Sequence, residues 1–124
     1  MERPYDIIIW GASGFTGKLV VDYMSKNYAN SNVRWAVAGR NTEKLTSILA
    51  GRDVPVLQAD SHDVNSLDNL VQQGRVILTT VGPYARYGSE LVAACARHGT
   101  HYCDLTGEVH WMREMITKHQ DEAV

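Results

Sequence analysis

Three glycines near the N-terminus form a candidate anion-binding loop. In IIIWGASGFTGKLVVDYM, residues 7–24, Gly11, Gly14 and Gly17 separate a branched apolar run from a segment with helical apolar spacing. At such a strand-to-helix junction the backbone N–H groups and the helix dipole attract an anion, so a phosphate is the natural ligand. The first glycine would permit a tight turn, the second a close approach of a pyrophosphate, and the third close packing of helix on strand. Three glycines in a plain turn are the alternative.

The same loop is close to the phosphate loop of nucleotide triphosphatases. The pattern G-x-x-x-x-G-K-[ST] would require a glycine at Ala12 and a hydroxyl residue at Leu19, and both are absent. Lys18 is therefore interpreted as an ordinary residue of the first helical turn.

The residues after the second apolar run indicate which dinucleotide would bind. In AVAGRNTEKL the run ends at Arg40, 29 residues after Gly11, where an NAD site usually has an acidic residue. An arginine fork suits the 2′-phosphate of NADP instead. Asn41 could add a hydrogen bond, and Lys44 and Ser13 could reach the same group. The pattern favours NADP and leaves NAD possible; a solvated loop cation is the alternative.

Two further strand ends point to the same cleft. Asp60, after VPVLQA, could accept from the adenine amino group or cap the helix that follows. The segment TTVGPY, residues 79–84, ends the fourth strand beside the first, where ligands bind in sheets of this type. It is expected to pass along the nicotinamide half of the cofactor. Tyr84 could stack on or cover that half, or pack on Tyr87.

Strand and helix patterns alternate along the whole chain. Five short apolar runs are predicted as strands: Tyr5–Trp10, Val33–Ala38, Val54–Ala59, Val76–Val81 and His101–Leu105. Helices are predicted after each of them: from Phe15, over Thr42–Ala50, from an N-cap at Asp63 to a stop at Gly74, over Ser89–His98, and over Glu108–His119. This alternation predicts an α/β fold, a Rossmann-type doubly wound parallel sheet of about five strands with helices on both faces.

Composition excludes several classes of partner. The 124 residues suit one domain, and a net charge of −2 without a run of like charge argues against nucleic acid or an anionic membrane surface. The apolar run before Gly11 is too short for a signal peptide or a membrane span, so a cytoplasmic protein is expected. Cys95 and Cys103 are expected to be reduced, buried thiols.

Other catalytic chemistry is weakly indicated. No tyrosine is followed by lysine at the Tyr-x-x-x-Lys spacing of short-chain dehydrogenases. His98, His101 and Cys103 could ligate a metal, but a fourth ligand is not evident, and no metal is expected. Glu108 and His110 could act as acid and base. A helix-start carboxylate and an exposed imidazole are the favoured interpretation.

Three segments resemble a known family: GASGFTGKLV, WAVAGRN and LTTVGPYARYGSELVAACARHGTHYCDLTGE. They are similar to the N-terminal dinucleotide-binding domain of the saccharopine dehydrogenase-like oxidoreductases, a group that includes the trans-acting enoyl reductases of lipid synthesis. The resemblance implies that Asp104, Thr106, Gly107 and Glu108 lie near the mouth of the cleft. With Ala12, Lys44 and Asp60 added from the pattern itself, the candidate cofactor residues are Gly11, Ala12, Ser13, Gly14, Phe15, Thr16, Gly17, Arg40, Asn41, Lys44, Asp60, Thr80, Val81, Gly82, Pro83 and Tyr84.

Members of that family are much longer than this chain. The resemblance therefore implies that residues 1–124 are the cofactor domain of a longer oxidoreductase, with the substrate region and much of a homodimer contact elsewhere. One sheet edge and some apolar surface are expected to be uncovered. The expected function is hydride transfer between NADP(H) and a small-molecule or lipid-like substrate; the alternative is a dinucleotide-binding sensor or scaffold without turnover.

Overall fold

A five-stranded parallel sheet forms the centre of the protein. The computed structural model describes residues 2–124. The strands lie in the order β3-β2-β1-β4-β5, and β1 pairs with both β2 and β4, so that Ile8 lies opposite Ala36 and Ile77. This arrangement confirms the predicted Rossmann-type fold and places the end of β4 beside the end of β1. The strands are β1 Tyr5–Trp10, β2 Trp35–Gly39, β3 Val56–Gln58, β4 Gly74–Thr79 and β5 His101–Cys103.

Helices cover both faces of the sheet. The helices are α1 Phe15–Tyr28, α2 Thr42–Leu49, α3 Val64–Val71, α4 Tyr84–Tyr87, α5 Ser89–His98 and α6 Val109–Ala123. On one face, α1 and α2 bury Val21 and Leu45 against Ile9 and Val37 of the sheet. On the other, α3 and α5 pack on Ile8, Ile77 and their neighbours. Successive residues of β1 therefore face opposite cores, as expected for a strand buried on both sides.

Side-chain caps mark the starts of two helices, at the positions predicted from the sequence. The carboxylate oxygen Oδ1 of Asp63 accepts from the amide of Ser66, which confirms the predicted N-cap of α3. Asn41 caps α2 in the same way, because its Oδ1 accepts from the amide of Lys44 at 3.0 Å. Gly99, at φ 66°, ends α5 in the left-handed conformation that glycine adopts without strain.

Several element boundaries differ from the prediction. Strand β4 begins at Gly74 and ends at Thr79, two residues earlier at each end than predicted. A Cβ on Gly74 would lie 2.7 Å from Cδ1 of Ile8, so this glycine is needed for close packing on β1 rather than as a helix stop. Strands β2, β3 and β5 are shorter than predicted, α6 continues to Ala123, and the short helix α4 was not predicted.

An outer strand leaves a thiol exposed, and helix α1 leaves apolar side chains exposed. Both β3 and β5 are edge strands, and on β5 the side chain of Cys103 is exposed, so the prediction of two buried thiols holds only for Cys95. Phe15, Leu19 and Tyr23, spaced four apart on α1, are 83%, 55% and 59% exposed. No helix among residues 2–124 is long and apolar enough to cross a membrane.

Candidate cofactor-binding site

The glycine loop connects β1 to α1 with little free space behind it. Gly11 has a φ of +91°, and a Cβ there would lie 2.5 Å from Cγ2 of Val81. A Cβ on Gly17 would collide with the carbonyl oxygen of Gly11 and lie 2.7 Å from Cα of Ala12. The tight turn expected at the first glycine and the close packing expected at the third are therefore confirmed. At Gly14 a Cβ would meet only the Gly11 oxygen, at an ordinary 3.5 Å, so the close approach of a pyrophosphate there stays a prediction.

The first turn of α1 leaves its amide groups available. Gly14 occupies the N-cap position, and within the described part of the chain no side chain caps this helix. The first amide paired along the helix is that of Lys18, which donates to the carbonyl of Gly14. The N–H groups before it point out of the helix end with the positive end of its dipole. This fits the phosphate of a dinucleotide, and the residues present can hold that group.

A cavity of about 250 Å³ lies beside this loop, at the carboxyl ends of the central strands. It brings together six of the predicted residues, namely Gly11, Ser13, Arg40, Asn41, Asp60 and Val81. The other candidates do not line it. Lys18 and Lys44 are both exposed, and Lys18 borders a different surface depression on the α2 side of the molecule. The cavity therefore joins the ends of β1, β2, β3 and β4 in one site.

Arg40 offers a free cation at the far end of that cavity. Its side chain is exposed, and among residues 2–124 no carboxylate lies within ion-pair distance of its guanidinium. The backbone carbonyl of Arg40 accepts from Nε2 of Gln58, which fixes the main chain rather than the side chain. Since Asn41 uses its Oδ1 as a helix cap, only its amide Nδ2 is left to donate to a phosphate. An unpaired guanidinium and an amide donor match a 2′-phosphate.

Asp60 does not cap the following helix. Its Oδ1 accepts from the amide of His62 at 2.8 Å, in a turn closed by its own side chain. Its backbone amide donates to Oγ of Ser66, in the first turn of α3. The capping alternative is therefore wrong, because Asp63 performs that task. Contact of Asp60 with adenine stays a prediction.

Three aromatic residues of this cavity were not among the sequence-based candidates. The rings of His62 and Tyr87 both line the cavity, with centroids 5.7 Å apart and planes tilted by 44°, and the Arg86 guanidinium lies 5.2 Å from the Tyr87 centroid. Trp10 also lines the cavity, and its buried Nε1 has no hydrogen-bond partner in the described structure. His62 lies two residues after the β3-end residue Asp60, and Trp10 is the last residue of β1. Position beside the carboxyl end of a strand is therefore the sequence signal that could have identified His62 and Trp10.

Tyr84 is buried behind the β4–α4 loop, residues 80–83, rather than exposed in the cleft. Its ring is only 7% exposed and packs on Trp111, at a centroid distance of 5.8 Å, instead of on Tyr87. Its hydroxyl donates to the carbonyl of Thr79 and accepts from the amide of Leu105. Burial raises the pKa of the Tyr84 phenol. The expected stacking or covering role of this ring is therefore not available in this structure.

The carboxylate of Glu108 accepts hydrogen bonds from the start of α4 rather than from its own helix, α6. Its Oε2 accepts from the amide of Tyr84 at 2.6 Å, and its Oε1 accepts from the amide of Ala85 at 3.0 Å. These backbone hydrogen bonds, Ala85 first and then Tyr84, lower the pKa of the Glu108 carboxyl. A group held as its anion is a poor proton donor. Glu108 does stand at the start of α6, in the N-cap position, but its side chain accepts from the first two amides of α4 rather than from those of α6.

The segment around Glu108 is tied together by its own polar side chains. The Tyr102 hydroxyl donates to Oδ2 of Asp104, and the Thr106 amide donates to Oδ1 of the same carboxylate. Thr106 in turn accepts from the amide of Glu108. Gly107 lies between them, and His110 is exposed at the start of α6. Within residues 2–124, no three His, Cys, Asp or Glu side chains are grouped to hold a metal ion.

The sheet order, the open helix end and the free cation after β2 define an NADP-binding domain of Rossmann type. The chain belongs to the family described as the saccharopine dehydrogenase NADP binding domain, whose model matches residues 7–124. It is 42% identical to a trans-acting enoyl reductase of Mycobacterium leprae and 41% identical to one of Mycobacterium tuberculosis. Each match covers 98% of this chain and 30% of the relative, so the chain spans about a third of these proteins' length.

Solved structures share the fold at lower identity. Apo saccharopine dehydrogenase from Saccharomyces cerevisiae is 19% identical with a TM-score of 0.72, covering 90% of this chain and 24% of that one. Triphenylmethane reductase from Citrobacter sp., complexed with NADP(H), is 20% identical with a TM-score of 0.72, covering 95% of this chain and 45% of that one. These likenesses support the fold of the domain.

Proposed function

We propose that this chain is the cofactor-binding part of a longer NADPH-dependent reductase that acts on an enoyl substrate. One observation carries the proposal: Gly11 and Ser13, in the glycine loop that leads into the uncapped start of α1, line the same cavity at the strand ends as Arg40, whose guanidinium has no ion-pair partner among the described residues. Both NAD and NADP place a pyrophosphate at such a helix end, but only NADP carries a 2′-phosphate on the adenosine ribose that calls for a cation there. The enoyl substrate is inferred from the trans-acting enoyl reductases that are 42% and 41% identical to this chain.

Each part of the site has a distinct task in this proposal. The amides between Gly14 and Lys18 bind the pyrophosphate, while Arg40, Asn41 and Ser13 bind the 2′-phosphate. Asp60, His62 and Tyr87 border the space for adenine. Thr80–Pro83 lies against the nicotinamide half. When bound, NADPH supplies the hydride, and this domain orients it and holds its charges.

Further parts of the proposal concern the whole protein. The substrate pocket belongs to the remaining length that the relatives possess, and the substrate is lipid-like. Homodimer formation is proposed because apolar residues of α1 are exposed on this domain. A cytoplasmic location is proposed because both cysteines are free thiols.

Calorimetric titration with NADPH and NADH in parallel tests cofactor binding. We expect NADPH to bind at least about tenfold more tightly than NADH, because a charge-assisted hydrogen bond to the 2′-phosphate contributes about 1.5–3 kcal/mol. Arg40→Ala should remove that difference while leaving NADH binding unchanged. Lys44→Ala, an exposed cation that does not line the cavity, is the matched control. Equal affinity of the two cofactors for the unmodified domain would contradict the proposal.

Turnover is tested on the full-length protein with an enoyl thioester. We expect one NADPH oxidised for each double bond reduced, followed by absorbance of NADPH and mass spectrometry of the product. NADPH binding without oxidation, across enoyl and carbonyl substrates, would contradict the reductase assignment and favour a sensor or scaffold module.

A further inference from the structure

Two segments far apart in the sequence meet through one carboxylate. The β4–α4 loop, residues 80–83, runs from the end of β4 into Tyr84, and Glu108 follows the loop after β5. Both carboxylate oxygens of Glu108 accept from the start of α4: the Tyr84 N–H donates to Oε2 and the Ala85 N–H donates to Oε1. Thr106 Oγ1 adds a third donor at 3.3 Å. One side chain thereby satisfies two of the amide groups that a helix start leaves unpaired.

The β4–α4 loop is fixed at its other end as well. The amide of Thr80 donates to the carbonyl of Trp10, and its Oγ1 donates to the carbonyl of Gly11. The loop therefore begins against the glycine loop and ends at Glu108. Among the described residues, no side-chain hydrogen bond ties Gly82 or Pro83, which lie between these two points. The Pro83 carbonyl accepts from the backbone amides of Arg86 and Tyr87, so this stretch is held at one end by Thr80 and at the other by α4, whose first two amides Glu108 caps.

We propose that Glu108 is a positioning residue for the nicotinamide half of the cofactor, acting by holding the end of the β4–α4 loop. This inference rests on the proposed function, in which the same loop borders the nicotinamide. Glu108 itself need not touch the cofactor, because its oxygens are engaged by the backbone. The adenosine half is bound across the sheet by Arg40 and its neighbours and does not depend on this contact.

The test compares two ligands that differ in the nicotinamide half. NADPH contains both halves, whereas 2′,5′-ADP contains the adenosine half with the 2′-phosphate and lacks nicotinamide. Glu108→Ala should weaken NADPH binding about tenfold or more, the usual range for losing hydrogen bonds to a charged group. It should leave 2′,5′-ADP binding within about twofold of the unmodified domain. Glu108→Gln, which keeps one acceptor oxygen, should give an intermediate loss and so partial rescue.

Glu114→Ala is the matched control. Glu114 lies on the same helix α6, and its one ion-pair partner among residues 2–124 is the exposed Lys118. We expect both ligands to bind this variant as they bind the unmodified domain. Equal weakening of NADPH and 2′,5′-ADP by Glu108→Ala would overturn the inference, because it would mean a general role in folding. Unchanged NADPH binding would overturn it as well.

Amide hydrogen exchange of the ligand-free domain separates this inference from the proposed function. Glu108→Ala should speed exchange at Tyr84 and Ala85 at least about tenfold relative to Glu114→Ala. If the unmodified domain bound neither ligand, the proposed function would fail. The positioning of the loop would then be judged by exchange alone, and unchanged protection at Tyr84 and Ala85 would overturn it.

Discussion

Gly17 lies so close to Gly11 that a single added carbon would overlap the Gly11 carbonyl oxygen. Helix α1, which follows the glycine loop, is thus packed backbone to backbone on the turn that leaves β1. A Cβ on Gly14, between them, would meet only the Gly11 oxygen, at an ordinary 3.5 Å. Folding and ligand binding therefore make separate demands on glycines only three residues apart.

Gly17→Ala should destabilise the domain, whereas Gly14→Ala should mainly weaken binding. Overpacking at Gly17 is expected to lower the free energy of unfolding by about 1–3 kcal/mol. Alanine at the N-cap position of Gly14 should cost no more than about 1 kcal/mol. Its methyl group should still weaken NADPH binding about tenfold or more, because it occupies the path of the pyrophosphate. Urea unfolding and calorimetry measure the two effects. A Gly14→Ala variant that binds NADPH normally would contradict the assigned role of the second glycine.

Tyr84→Phe should lower the free energy of unfolding by about 1–3 kcal/mol, because two backbone groups would lose their buried partner. Those groups are the Thr79 carbonyl and the Leu105 amide. Tyr23→Phe is the control, since Tyr23 is 59% exposed, and a change within about 0.5 kcal/mol is expected for it. Urea unfolding of both variants gives the comparison. Equal stability of the two variants would show that the Tyr84 hydroxyl bonds do not contribute.

Asp68 should make the stability of the domain depend on pH in acid. Its carboxylate on α3 pairs with Arg97 on α5 at 2.7 Å, and that hydrogen bond is the main cause that lowers the Asp68 pKa from 3.8. A lowered carboxyl pKa stabilises the fold above the unfolded value, and this stabilisation is lost as pH falls through the folded pKa.

Asp68→Asn should therefore lose more stability near neutral pH than at about pH 3. Asp22→Asn, at a 67% exposed carboxylate paired with Arg52, is the control and should change little at either pH. Urea midpoints across the acid range measure the effect. A difference in urea midpoint between Asp68→Asn and the unmodified domain that stays the same at all pH values would contradict this prediction.

The two thiols should react very differently in the folded domain. Burial raises the pKa of Cys95 to about 12, so no reactive thiolate is accessible there at neutral pH. Cys103 is exposed, although partial burial and Asp104 raise its pKa too, so its alkylation should be slower than that of a free cysteine peptide. Peptide mass spectrometry after maleimide treatment should find Cys103 modified first and Cys95 only after unfolding. Modification of Cys95 at the same rate would contradict its burial.

Sequence reasoning succeeds here where the signal is local. The steric roles of Gly11 and Gly17, the Asp63 cap and the adjacency of β1 and β4 all follow from short-range pattern and general topology. Gly74 shows the limit, because as a residue after a helix it resembles a stop signal. It is instead required by Ile8, which lies 66 positions earlier in the sequence and against it in the sheet.

The site is less predictable because its contacts join distant segments. Glu108 reads as the first carboxylate of its own helix, yet its partners are amides 23 and 24 residues earlier. Tyr84 reads as a loop aromatic, and only the position of Trp111 on α6 shows that it is buried. In both cases the tertiary partner decides the role of the side chain, and no local pattern encodes that partner.

The bond from Thr80 Oγ1 to the carbonyl of Gly11 joins residues 69 positions apart and has a consequence for synthesis on the ribosome. Strand β1 is made first, but it occupies the middle of the sheet and cannot be flanked on both sides until β4 has emerged. At about 5–20 residues per second, that interval lasts roughly 3–14 seconds. The glycine turn is thus translated well before β4, the strand that completes its surroundings.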